Sequence, residues 1–149
     1  MGEQMTTFQN NDGGREAAGF KGSTGDCVVR AVTIATQQDY LTVYDTLSKG
    51  CRTQRRSSRS KVRRSARSGV DVKRKWFRDY MASLEWIWTP TMSIGSGCTV
   101  HLRSDELPPG RLIVAVSKHY TTMIDGVIHD LYDPSREETR CVYGYWMKK

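Results

Sequence analysis

Apolar positions along the chain fall into two regimes. From Cys27 to Leu47 and again from Val72 to Leu84 they recur every three to four residues, the spacing of a helix with one buried face. Val28, Ala31, Val32, Ile34 and Ala35 predict a helix opening near Cys27. Thr24-Gly25-Asp26 are its start signals, with Asp26 or Thr24 as the N-cap. Asp39 predicts the cap of a second helix, whose apolar face is Tyr40, Val43, Tyr44 and Leu47, with Gly50 as its stop. Val72, Trp76, Tyr80 and Leu84 step by four and predict a third helix, its stripe widened by Phe77 and Met81.

Beyond this the pattern shortens to strands. Trp86 to Trp88 reads as a short strand ended by Thr89-Pro90, and Cys98 to Leu102 as another. Leu107-Pro108-Pro109-Gly110 is a turn, and Leu112 to Val116 is an apolar run of the buried-strand type. Tyr120 to Ile124 and Val127 to Tyr132 flank Asp125-Gly126, the strongest short-range hairpin signal. Asp133-Pro134-Ser135 makes the next turn, and Cys141 to Trp146 predicts the last strand. Helices first and an antiparallel sheet afterwards give an α+β fold. Residues 1–15, rich in Gly, Asn, Gln and Asp, are expected to be a flexible segment. Residues 16–149 are expected to form a single domain with a basic mobile loop at about 52–70.

Composition narrows the classes. A chain of 149 residues fits one domain, and four Trp with seven Tyr allow a modest core although only 38% of residues are hydrophobic. No apolar run reaches about 18 residues, so no membrane span is expected. The polar start of the chain predicts no secretory signal, and Cys27, Cys51, Cys98 and Cys141 lack a Cys-x-x-Cys pair. The expectation is four reduced thiols in a cytoplasmic protein.

Charge is concentrated. Residues 52–75 carry eleven Lys/Arg against one acid, whereas the whole chain is only +7, so the body outside them is slightly acidic. Residues 52–68 hold five Ser and, as apolar residues, only Val62 and Ala66. Such a stretch buries too little to offset its ordering entropy. Arg55, Arg56, Arg59, Lys61, Arg63, Arg64 and Arg67 are candidates for contact with a polyanion, either nucleic acid or an acidic protein. No motif for base-specific reading accompanies them. Cys98, His101, His129 and Cys141 lack the second tight pair that a zinc site needs, so no metal and no cofactor is expected.

The sharpest chemical feature is Gly25-Asp26-Cys27 opening a helix. A thiol there faces the positive end of the helix dipole, which favours thiolate, and free N–H groups lie beside it. His119 stands where the apolar strand meets the hairpin, after polar Ser117 and Lys118. A carboxylate is needed to orient its ring. If Asp125-Gly126 is a two-residue turn, Asp130 is the diagonal neighbour of His119; if the turn has three residues, Asp133 comes opposite instead.

Asp-Cys at a helix start, an apolar strand leading to His119 and a hairpin ending in Asp, in the order Cys, His, Asp, resemble the papain-like fold of cysteine peptidases. Asp133-Pro134 is similar to the step that ends the corresponding hairpin in the peptidase domains of bacteriocin exporters. Residues 24–48 with 111–146 are also similar to uncharacterised small bacteriophage proteins, which would place the chain in the host cytoplasm. The resemblance implies Cys27 as nucleophile, His119 as base, and Asp133 or Asp130 as orienter, acting on polypeptide substrates. Papain-like enzymes usually carry a Gln about six residues before the Cys; here the position is Lys21. The oxyanion hole would then need the backbone N–H of Cys27, with Ser23, Thr24 or Lys21.

Overall fold

The computed structural model describes residues 6–21, 25–53, 66, 69–93 and 95–149. Strand β1 (Thr7–Asn10) is followed by three helices, α1 (Cys27–Thr36), α2 (Tyr40–Arg52) and α3 (Lys75–Ser83). Five further strands follow: β2 (Trp86–Pro90), β3 (Arg111–Val116), β4 (His119–Ile124), β5 (Val127–Asp130) and β6 (Val142–Lys148). The strands form one sheet in the order β1-β5-β4-β3-β6-β2. The α+β class therefore stands, but the sheet is mixed, because β1 pairs parallel with β5.

Strand β1 also corrects the expectation of a loose segment through residue 15. Thr7 to Asn10 take up the free edge of β5, and Arg15 is buried. The polar composition of this stretch was misleading because an edge strand needs backbone hydrogen bonds more than apolar side chains.

Every residue of β3 from Leu112 to Val116 is buried, so this strand lies at the heart of two cores. Ile113 and Ala115 face α1, α2 and α3, together with Phe77, Met81, Tyr120 and Trp146. Leu112, Val114 and Val116 face the other way, onto Leu102, Leu107, Met123, Ile128 and Val142. The connection through residues 100–107 thus closes the second face. Cys98 to Leu102 is not a strand; it makes only an isolated bridge between His101 and Cys141. Cys98 and Cys141 are joined as a disulfide across 43 residues, which corrects the expectation of four reduced thiols. Wide spacing in sequence hid the pair, since the chain returns to bring their Cα atoms within 5.8 Å. No helix among the described residues is long and apolar enough to cross a membrane.

Helix α2 runs through Gly50 instead of stopping there. A Cβ on Gly50 would lie 2.2 Å from the Trp76 ring, so the glycine serves a close helix–ring contact. Ala66, within the stretch expected to be an exposed loop, is fully buried, and its N–H donates to Ser48 Oγ at 3.3 Å. The Asp125-Gly126 turn has two residues, both with positive φ, and sets Ile124 opposite Val127.

Candidate active site

Helix α1 places Cys27 in its first turn. Val28, Val29, Ala31 and Val32 bury the helix against the sheet, and Thr122 Oγ1 donates to the Ala31 carbonyl at 2.8 Å. The thiol is thereby held against the end of β4. There His119 follows the tight Ser117-Lys118 turn, with Lys118 in the left-handed region at φ 56°.

His119 is buried and engaged on both sides. Its Nε2 lies 2.7 Å from Asp130 Oδ2. On the other side it is close enough to the Cys27 sulfur to favour the thiolate by a hydrogen bond and by charge. With Nε2 taken by Asp130, Nδ1 is the ring nitrogen left for the sulfur. Tyr132 covers the ring, its centroid 5.4 Å away at a tilt of 35°.

The protonation states follow from these contacts. Burial pushes the Cys27 thiol up, but the His119 hydrogen bond, the Tyr120 backbone N–H, and the charges of His119 and Arg30 outweigh it; the net shift is downward. Burial works against charge on His119 too, yet its hydrogen bonds to Asp130 and Cys27 raise it to about 9. Asp130 falls below the usual carboxylate range, because the His119 hydrogen bond and charge overcome its burial. The arrangement favours a thiolate–imidazolium pair with a carboxylate behind it.

The two-residue turn selects the orienting carboxylate. Asp130 reaches His119, whereas Asp133 accepts from the Ser135 N–H at 2.9 Å and shapes its own turn. Asp133 as orienter is therefore corrected to Asp130, because the register that would bring Asp133 opposite His119 does not form.

A buried chain of charges continues behind Asp130. Arg30 Nη1 donates to Asp130 Oδ1 at 2.8 Å, and Arg30 Nε to Asp26 Oδ1 at 3.1 Å. Asp26 Oδ2 accepts from Tyr40 OH at 2.5 Å and pairs with Arg15 Nε at 3.1 Å. Asp26 stands at the N-cap position but makes no side-chain cap, because these partners hold its carboxylate. The first N–H groups of α1 are thus left free of it, beside the sulfur, where a developing oxyanion would need donors. Lys21 is exposed, and Ser23 and Thr24 lie outside the described residues.

Arg15 and Arg30 were missed in the sequence. One signal was present: Arg30 interrupts an otherwise apolar helix face, four residues after Asp26. A charge in such a stripe is retained only where it is paired.

Cys27 and His119 open onto a cleft of about 1140 Å³ among the described residues, walled by Trp88, Tyr143 and Trp146. Cys51 is buried and away from it. Cys98 and Cys141 are bonded to each other, His101 Nδ1 lies 3.1 Å from Glu106, and His129 Nδ1 lies 3.2 Å from the Asn11 amide. The four zinc candidates thus have other partners, and no group of three metal-ligating side chains occurs among the described residues. Arg55, Arg56, Arg59, Lys61, Arg63, Arg64 and Arg67, the polyanion candidates, lie outside the described residues. Comparisons with family models, curated proteins and solved structures return no match.

Proposed function

We propose that this chain is a thiol-dependent hydrolase or acyltransferase, built on a papain-like arrangement and acting on peptide or isopeptide bonds. The Cys27 thiolate attacks the acyl carbon, and the N–H groups at the start of α1 stabilise the developing oxyanion. His119 gives its proton to the leaving amine as the C–N bond breaks, leaving a thioester on Cys27. Water then attacks the thioester while His119 takes up the proton, and the product acid departs from the restored ion pair. An amine in place of water gives acyl transfer. Asp130 keeps the ring in the orientation that serves both halves.

The observation that carries this reading is His119 held between Asp130 and the Cys27 thiol in the lining of a cleft. Its test is chemical. A vinyl sulfone or iodoacetamide probe at neutral pH is expected to label the parent protein at Cys27. The Cys27→Ala variant should lose that labelling while keeping its circular dichroism spectrum. Equal labelling of both proteins removes Cys27 as the nucleophile.

A further inference from the structure

The described residues lining the cleft include no Asp and no Glu. Apart from the Cys27–His119 pair, whose charges offset each other, their charged members are Arg30, Lys73, Arg78 and Lys118. Arg30 is spoken for by its two buried carboxylates. Lys73, Arg78 and Lys118 are exposed, on three separate parts of the rim: the approach to α3, α3 itself and the turn before His119. None of the three forms an ion pair with a carboxylate among the described residues.

Between these cations the walls are aromatic. Trp88 is 37%, Tyr132 52% and Tyr143 41% exposed, high values for side chains of this size. Trp88 is fixed by its neighbours: its ring lies 5.3 Å from that of Trp146 and stacks over Gly144, where a Cβ would come within 2.3 Å. Exposed rings held in this way keep apolar surface available to a ligand without an ordering cost at binding.

Resting on the proposed thiol chemistry, we infer that the cleft takes an acidic polypeptide segment, presenting an aromatic or large aliphatic side chain next to carboxylates that flank the scissile acyl group. The aromatic walls hold the apolar side chain, and Lys73, Arg78 and Lys118 pair with the flanking carboxylates. A basic segment meets three like charges and no acid to offset them. Nucleic acid also complements cations and aromatics, but it offers no acyl carbon to the Cys27 sulfur in the cleft lining.

Two peptidyl vinyl sulfones differing only in Glu or Lys beside a common leucine test this on the full chain. Each inactivation rate is divided by the same protein's rate with uncharged iodoacetamide, so that the reactivity of the sulfur cancels. The Glu probe is expected to react about tenfold faster than the Lys probe at low salt, and the ratio should shrink as salt rises. In K73Q/R78Q/K118Q, whose changes are at exposed side chains, the ratio should fall toward one. A ratio near one in the parent, or one unchanged in the triple variant, overturns the inference while leaving Cys27 as nucleophile. So does protection of Cys27 by a single-stranded oligonucleotide where an acidic peptide gives none. Failure of iodoacetamide to distinguish the parent from Cys27→Ala is a separate result, and it removes the thiol reading itself.

Discussion

Cys27 and His119 each stabilise the charged form of the other, and Asp130 stabilises the second of them. The contrast between the two nearby acids shows how little separates a positioning residue from a turn residue. Asp130 meets an imidazole at 2.7 Å, whereas Asp133, three residues on, meets a backbone N–H. Asp130→Asn preserves shape but removes the charge that keeps His119 protonated. It is expected to slow turnover of a peptide substrate, or inactivation by a vinyl sulfone, by roughly 10²-fold or more. Asp133→Asn should change the same rate by less than about threefold. Equal losses in the two variants would return the choice of orienter to open ground.

At the scale of elements, most of the helices and strands were legible because burial imposes a period on the sequence. Helix α1, α2 and the β4–β5 hairpin carry clear apolar stripes or turn residues. The failures have specific causes. Glycine is a common helix stop, and nothing local reveals that Gly50 exists to admit Trp76 from a distant helix. Gly50→Ala adds one methyl group within 2.2 Å of the ring. It is expected to cost about 1–3 kcal/mol, despite the better helix propensity of alanine, and urea denaturation reads this as a lower midpoint. A stabilised variant would show that Trp76 does not pack there. Strand β1 escaped notice because its four residues are exposed and pair parallel with a strand 120 residues later, a contact without any local signature.

Across the whole molecule, the site is assembled by a line of buried charge that joins parts far apart in sequence. Arg15 comes from the connection after β1, Asp26 and Arg30 from the start of α1, Asp130 from the end of β5 and His119 from β4. The sequence could supply the thiol, the imidazole and two candidate carboxylates, because each sits at a recognisable boundary. It could not supply the arginines, since pairing among buried charges is a property of the folded chain. Arg30→Met leaves Asp26 and Asp130 short of a shared cation in a buried place. The expected loss is about 3–5 kcal/mol, measured by urea denaturation. A loss below about 1 kcal/mol would mean that the line of charge does not hold these elements together.

The pH dependence of Cys27 alkylation by iodoacetamide, followed site by site by mass spectrometry, tests the thiolate–imidazolium pair most directly. Only the thiolate reacts, so the rate rises with pH through the pKa of the thiol. The predicted profile inflects below the ordinary range of a cysteine, then holds a plateau, and changes again near about 9 as His119 gives up its proton. In the His119→Gln variant the first inflection should move upward. A single inflection at the ordinary cysteine value of about 8.5, unchanged in His119→Gln, would contradict the account.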